Sequence, residues 1–157
     1  MGNTPNKKRR ICLPVDGSDH SKRAIEWFIK EVYRPGDEVL FVHCLELPYL
    51  PTISLTSGLK VPIDDWTKAL QENIAQTTKL NNEYGYICEC SKIPYDFIIK
   101  NGIAPGVGIV QTVEDHHVDL IVMGNRGLSR IKRTLLGSVS SYVVHNAYVP
   151  CIIVPPV

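Results

Sequence analysis

The chain has 157 residues, of which 17 are Lys or Arg, 16 are Asp or Glu and 44% are hydrophobic. This length and balance are typical of one globular domain and exclude disordered, collagen-like and disulfide-scaffold classes. A formal net charge of +1 argues against the whole-domain basic surface of nucleic-acid-binding modules. No apolar run approaches the roughly 18–20 residues that a membrane span needs. We therefore expect neither nucleic acid nor a membrane as a partner.

The charges are distributed unevenly along the chain. Residues 1–10 carry +4, residues 11–119 carry −7, and residues 120–157 carry +4 with no acidic residue at all. Because a local excess of one sign attracts the opposite charge, the last quarter of the chain is where an anion site should be sought.

The N-terminus predicts a short tail without a secretion signal. Residues 1–9 are predicted to be a flexible basic tail, followed by a single domain over 10–157. The run Lys7–Arg10 also resembles a nuclear signal, but a basic tail is the favoured interpretation. The apolar run Ile11–Val15 is too short for a signal peptide, and five cysteines without a regular framework fit a reducing compartment. We expect a cytoplasmic location, with the nucleus as the alternative.

Strand-like and helix-like segments alternate along the chain. Short apolar runs predict five strands, over Arg10–Val15, Glu38–Leu45, Pro94–Lys100, Val118–Met123 and Val149–Val154. Between them, apolar residues recur at three- and four-residue spacing and predict four helices, which begin near Ser18, Asp64, Ile103 and Ser138. Strands that alternate with helices pair in parallel. The fold class is therefore α/β, a single open five-stranded parallel sheet with helices on both faces, as in Rossmann-like folds.

The region between the second and third strands is the least regular. Residues 46–63 are rich in proline and predict a long loop. The helix that follows is expected to reach about Ser91, although a strand over Tyr86–Cys90 is the rival interpretation. Its buried face is predicted to contain Trp66, Leu70, Ile74 and Thr77.

A glycine-punctuated loop follows the fourth strand. Gly124 and Gly127 lie three residues apart at the strand's carboxyl end, and Gly137 opens a helix with Ser138 and Ser140 behind it. Glycine lets the backbone turn sharply and brings its N–H groups close to a ligand. Free N–H groups at a helix N-terminus attract anions, and serine hydroxyls donate further hydrogen bonds. This pattern, in the acid-free quarter of the chain, favours a phosphate site over an ordinary strand-to-helix loop.

Other phosphate and nucleophile motifs are missing from the sequence. No Gly-Lys-Ser/Thr is present, so a Walker-type loop is excluded, and no Gly-x-Ser-x-Gly elbow is present either. Gly106-Val-Gly108 lacks the third glycine of a dinucleotide fingerprint, so we attribute it to close packing or to the start of a helix.

The first two strands end in residues that suit a nucleoside. Asp16 follows the first strand and can accept hydrogen bonds from ribose hydroxyls, or it can cap the next helix together with Ser18. Beside a phosphate site, the ribose role is favoured. The second strand ends in Val42-His43-Cys44, whose backbone can pair with an adenine edge. His43 itself is expected to be a hydrogen-bonded core residue.

Together these segments resemble the universal stress protein family, in its ATP-binding subgroup. The resemblance extends from about Arg9 to Val154 and includes Pro14-Val-Asp16 and Asp119-Leu-Ile-Val-Met-Gly124. Its most specific element is the family pattern Gly-x2-Gly-x9-Gly-Ser/Thr, matched here by Gly124, Gly127, Gly137 and Ser138.

The resemblance implies ATP, usually with a divalent ion such as Mg²⁺, across the carboxyl edge of the sheet. Asp16 would bind the ribose, the Cys44 main chain the adenine, and Gly127 and the start of the last helix the phosphates. The implied ligand-binding residues are Pro14, Val15, Asp16, Cys44, Met123, Gly124, Arg126, Gly127, Gly137, Ser138, Val139 and Ser140. The role of Arg126 stays open. The family also forms homodimers, often through the last strand, which here is 151–154.

Three functions are compatible with these residues. The favoured one is an ATP-binding stress or signalling module without efficient catalysis, because no general base or nucleophile is placed within the motif. The second is an adenine-nucleotide α/β enzyme, either a nucleotidylyl transferase or an ATP pyrophosphatase. Asp16-Gly-Ser-Asp19 is only loosely similar to the loop that such an enzyme would have after its first strand. The third, compatible with the first, is an interaction protein whose loop 46–63 binds a partner under nucleotide control.

Overall fold

The computed structural model describes residues 8–45, 63–125 and 136–156, with the side chains of 63–65 excepted. Five strands are present: β1 (Arg10–Pro14), β2 (Glu38–Leu45), β3 (Tyr95–Asn101), β4 (Leu120–Gly124) and β5 (Cys151–Val154). Four α-helices connect them: α1 (Asp19–Trp27), α2 (Ile63–Cys90), α3 (Pro105–Asp115) and α4 (Ser138–Asn146). A π-helical turn, Phe28–Val32, continues α1. The predicted loop 46–63 lies outside the described residues except for its last residue, which begins α2.

All strand pairs are parallel, and the sheet order is β3-β2-β1-β4-β5. Helices α1 and α2 pack on one face of the sheet, and α3 and α4 pack on the other. The predicted fold class is therefore confirmed. The chain reverses its direction of travel between β1 and β4, and in open α/β sheets ligands bind at the carboxyl edge of such a switch point.

The central strands are covered on both faces. In β1, Ile11 and Leu13 face α1 and α2, whereas Cys12 between them faces α3 and α4, and all three are at most 1% exposed. Burial on both sides removes the need for polar residues, which is why these strands are almost continuously apolar.

Helix α2 continues to Cys90, so the helical interpretation of 86–90 is confirmed. Of the four residues predicted along one face, Thr77 is buried and Trp66 and Leu70 are half-buried, whereas Ile74 is 57% exposed and does not face the core. The residues that do pack on the sheet begin at Thr77 and continue through Leu80, Tyr84 and Cys88. At about 1.5 Å per residue, a helix of 28 residues is longer than any strand here, so part of it extends past the carboxyl edge.

The glycines of α3 have a packing role, as predicted. A Cβ at Gly106 would lie 2.8 Å from Cδ1 of Tyr142 on α4, and one at Gly108 would lie 3.0 Å from Sγ of Cys44 on β2. These two glycines therefore let α3 lie close to both neighbours, and neither contributes to a phosphate loop.

The last residue of the predicted tail, Arg9, is part of the folded structure. Its Nε and Nη2 donate to the carboxylate of Asp37 at 2.8 and 2.6 Å, and Asp37 is 2% exposed. The Asp37 carboxylate also accepts a hydrogen bond from the main chain of Arg34 at 2.8 Å. The buried carboxylate is thus paired, and the chain is anchored immediately before β1.

Within the ranges given above, no helix is both long and apolar enough to cross a membrane.

Candidate functional site

The site begins as a gap between the two central strands. Strands β1 and β4 pair only through Ile11 with Leu120 and Cys12 with Ile121, although β1 continues to Pro14 and β4 to Gly124. Their carboxyl ends therefore diverge, and a cavity of about 620 Å³ opens there. This volume is within the range of pockets that hold small organic ligands.

Ten of the twelve predicted site residues line this cavity. They are Pro14, Val15, Asp16, Cys44, Met123, Gly124, Gly137, Ser138, Val139 and Ser140. The other two, Arg126 and Gly127, lie outside the described residues.

Cys44 lies beyond the last residue of β2 that bonds to β1, and its main chain faces the cavity. The final bond between β1 and β2 joins the Val15 N–H to the Val42 carbonyl oxygen at 2.9 Å. Main-chain groups alternate in direction along a strand, so those of Cys44 point to the same side as those of Val42. No residue of β1 pairs with Cys44. Its N–H and C=O form a donor and acceptor pair suited to the edge of a flat heterocycle.

His43 is confirmed as a hydrogen-bonded core residue. It is 5% exposed, and its Nδ1 lies 2.8 Å from the carbonyl oxygen of Val15. This contact fixes the end of β1 against β2, and so positions the turn that carries Asp16.

The Cys44 side chain is not suited to act as a nucleophile. Burial raises the pKa of its thiol, partly opposed by the positive charge of Lys100, and its Sγ lies 3.6 Å from the Pro105 carbonyl oxygen. The thiol therefore remains protonated near neutral pH, which argues against a nucleophilic role.

The N-terminus of α4 opens into the cavity without a side-chain cap. Gly137 is its N-cap residue, and no side chain in the described part of the chain caps the first turn. The N–H groups of Ser138, Val139 and Ser140 therefore lack helical acceptors. An N-terminus of this kind carries partial positive charge and attracts anions.

Helix α1 begins at the same edge of the sheet, but its N-terminus is capped. The hydroxyl of Ser18 accepts a hydrogen bond from the N–H of Ser21 at 3.3 Å, as predicted for an N-cap. In turn, Oδ1 of Asp16 accepts from the N–H and the hydroxyl of Ser18 at 3.0 and 2.6 Å. Asp16 thus supports the cap and also lines the cavity, so the two roles considered for it are compatible.

The two described glycines of the loop motif differ in what surrounds them. A Cβ at Gly124 would collide with the main-chain carbonyl of His20, so this glycine is needed for α1 to pack against β4. Among the described residues, a Cβ at Gly137 would meet nothing closer than Oδ1 of Asn125 at 3.7 Å, and its φ of −60° suits any residue. Neither its described neighbours nor its backbone conformation requires glycine at 137.

Asn125, which was not predicted from the sequence, connects the two ends of the glycine-punctuated loop. Asn125 is 7% exposed, its N–H donates to the Val154 carbonyl oxygen at 3.0 Å, and its Oδ1 accepts from the Gly137 N–H at 3.2 Å. The start of α4 is thereby attached to the end of β4. An asparagine next to a glycine motif is a weak signal, because its partner lies twelve residues away.

Four further polar residues line the cavity without having been predicted. They are His20 and Ser21 on α1, and Asn73 and Gln76 on the part of α2 that extends toward the carboxyl edge. Carboxylate, imidazole and thiol groups do not cluster as a metal site anywhere in the described ranges.

Comparison with known proteins decides the family. The model of the universal stress protein family matches residues 8–155. The chain belongs to this family. A universal stress protein of Thermus aquaticus is 32% identical over 148 residues, which cover 93% of this chain and 98% of the relative. One of Methanocaldococcus jannaschii is 28% identical over 152 residues, with coverage of 97% and 85%.

A solved structure agrees with the fold. The crystal structure of a universal stress protein family protein from Arabidopsis thaliana, determined with AMP bound, is 23% identical and has a TM-score of 0.71. The match covers 95% of this chain and 92% of that one. At this identity the likeness establishes the shared α/β fold.

Proposed function

We propose that this universal stress protein binds an adenine nucleotide, ATP with Mg²⁺, at the carboxyl edge of the sheet, and acts as a stress-response or signalling module without efficient catalysis. The observation that carries the proposal is the uncapped N-terminus of α4. It faces a cavity of about 620 Å³, behind a glycine that neither its described neighbours nor its backbone conformation requires.

The phosphates would lie against the start of α4. The N–H groups of Ser138, Val139 and Ser140 and the two serine hydroxyls are donors for phosphate oxygens, and each charge-assisted hydrogen bond contributes about 1.5–3 kcal/mol. Gly137 keeps this approach open because it has no side chain. By the family pattern, Gly127 would add a main-chain donor, and the role of Arg126 stays open.

The base and sugar would extend from there toward β2. Strand β1 lies between β2 and β4, so Cys44 and Gly124 are separated by at least two strand spacings, about 10 Å, and by more where the ends of β1 and β4 diverge. Adenine pairing with the Cys44 main chain would leave its sugar above the end of β1. Asp16 lies there, with Pro14, Val15 and Met123 as the remaining walls.

A divalent ion fits this arrangement only if the ligand brings most of its coordination sphere. The described residues hold no cluster of three metal-ligating side chains, and Mg²⁺ is commonly bound through phosphates, waters and one or two carboxylates. We propose that the phosphates hold the ion. Weak or absent hydrolysis is also proposed, because Asp16, the one carboxylate among the described lining residues, already accepts two hydrogen bonds from Ser18 and is assigned to the ribose.

Calorimetric titration of the full chain with Mg-ATP and with AMP tests the proposal. We expect micromolar binding of Mg-ATP, and replacement of Gly137 by valine should weaken it at least tenfold, because the new side chain would occupy the approach to α4. Ala104→Val is the matched control. Ala104 is an exposed N-cap residue of α3 with a similar backbone conformation, outside the cavity, and its variant should bind normally.

Two results would contradict the proposal. One is wild-type protein that binds no adenine nucleotide below about millimolar concentration at modest salt. The other is a Gly137→Val variant that is folded, as judged by its thermal unfolding, and binds Mg-ATP as tightly as the Ala104→Val control.

A further inference from the structure

His20 lies at the junction of α1, β4 and the cavity. It belongs to the first turn of α1, and it lines the cavity together with Gly124 and Gly137. Its Cβ lies 3.1 Å from the position that a Cβ on Gly124 would take. The imidazole is therefore attached directly above the end of β4, the strand that leads toward α4.

The two ring nitrogens of His20 have different surroundings. Nδ1 is buried and has no hydrogen-bond partner within the described part of the chain, and it is the sole side-chain nitrogen or oxygen there of which this is true. Nε2 has no hydrogen-bond partner among the described residues either, but it is not one of the buried unpaired atoms. On a residue that lines the cavity, it is therefore the nitrogen that remains accessible. In a neutral imidazole one nitrogen carries the hydrogen. Since an unpaired buried N–H is unfavourable, the hydrogen belongs on Nε2, which then is a donor.

The position of His20 indicates which end of the proposed ligand its Nε2–H would reach. The adenine site on β2 and the end of β4 lie on opposite sides of β1. His20 is attached above β4, so it lies on the phosphate side. It also belongs to the opposite face of the sheet from α4, since α1 and α4 pack on different faces.

We propose that His20 is a ligand-binding residue whose Nε2–H donates a hydrogen bond to a phosphate oxygen of the bound nucleotide. The phosphates then have donors on two sides, the main chain of α4 on one and the His20 side chain on the other. Ser18 already caps the N-terminus of α1. This helix therefore contacts the ligand through a side chain. The site thereby distinguishes phosphorylated nucleotides from nucleosides. The inference rests on the proposed function.

The test compares Mg-ATP, AMP and adenosine by calorimetry on wild type, His20→Phe and His20→Gln. Phenylalanine keeps the ring but removes the donor, so binding of Mg-ATP and AMP should weaken about tenfold while binding of adenosine stays unchanged. Glutamine places an amide N–H near the position of Nε2 and should restore phosphate binding to within about threefold of wild type. His116→Phe is the control, because His116 lies at the C-terminus of α3, at the other end of the sheet.

The possible outcomes separate this inference from the proposed function. Wild type that binds no nucleotide overturns both. Wild type that binds while His20→Phe binds Mg-ATP equally well overturns the role of His20 and leaves the proposed function intact. Equal losses for adenosine and Mg-ATP, or a His20→Gln variant as weak as His20→Phe with normal thermal unfolding, would show a packing role instead of a donor.

Discussion

Two glycines of one motif have different functions at the residue scale. Gly124 makes room for the main chain of His20, whereas a Cβ at Gly137 would make only ordinary contacts with described atoms, with Oδ1 of Asn125 at 3.7 Å and Oγ of Ser140 at 4.0 Å. A sequence pattern cannot separate these functions, because both residues satisfy the same spacing. The difference lies in what each glycine contacts, and the contact of Gly124 with His20 joins elements that are about a hundred residues apart in sequence.

Replacement of Gly124 by alanine should therefore destabilise the protein. The added methyl group would collide with backbone, which cannot rotate away, and overpacking of this kind costs about 1–3 kcal/mol. Urea unfolding followed by circular dichroism would measure the loss. Gly137→Ser is the control and should change the free energy of unfolding by a few tenths of a kcal/mol, since glycine and serine are both favoured N-cap residues and the added Cβ would make only ordinary contacts with described atoms. Equal effects of the two variants would contradict this distinction.

Residues with local roles were predictable, and those with distant partners were not. Ser18 as an N-cap and Gly106 as a packing glycine follow from their sequence neighbours, and both are confirmed. His43 was predicted in the core because it lies within a buried strand. Asn125 and His20 were missed, because their importance arises where β4, α1 and α4 meet, and nothing near them in sequence indicates that meeting point.

At the element scale, the contrast between α1 and α4 determines where an anion can bind. Both helices begin at the carboxyl edge, but Ser18 uses the first-turn amides of α1 and no described side chain does so for α4. The first-turn amides of α4 are thus the ones available for the proposed anion, whereas those of α1 are already capped.

Replacement of Ser18 by alanine should lower the free energy of unfolding by about 1 kcal/mol, the usual cost of losing an N-cap. The turn would also lose the hydroxyl that donates to Asp16, so ATP binding should weaken by a smaller factor than in Gly137→Val. Thermal unfolding and calorimetry on the same samples would measure both. A fully stable Ser18→Ala variant would contradict the capping role.

Helix α2 shows how far periodicity alone can be trusted. Its length and type follow from the sequence, but Ile74 was assigned to the buried face and is exposed. The apolar spacing is helical along the whole segment, whereas the sheet beneath is only five to eight residues deep at its central strands. Which turns of a long helix have something to pack against is a property of the assembled fold.

At the scale of the whole molecule, β5 is an edge strand. The Ile121 N–H donates to the Pro150 carbonyl oxygen and the Asn125 N–H to that of Val154. By alternation, the main-chain groups of Cys151 and Ile153 point away from β4. Because β5 has these outward main-chain groups and half-buried apolar side chains, we propose that residues 151–154 of two copies of the chain pair with each other, as the family resemblance implies.

This proposal predicts a dimer that one proline can dissociate. Ile153→Pro removes an outward N–H and leaves the bonds to β4 in place, a position where edge strands tolerate proline. Wild type should sediment as a dimer and Ile153→Pro as a folded monomer in analytical ultracentrifugation. Ile153→Val, which keeps the N–H, should remain dimeric. A monomeric wild type would contradict the proposal.

The unhindered space around Gly137 has a consequence for work in living cells. Because neither its described neighbours nor its backbone conformation requires glycine here, we expect a mutation there to separate two properties that most active-site changes damage together. A strain that carries Gly137→Val in place of the normal gene would keep normal amounts of the protein, and any partner that recognises its surface would still find it. A phenotype in that strain would then report the need for the nucleotide, and a phenotype seen only on deletion would report the need for the protein itself.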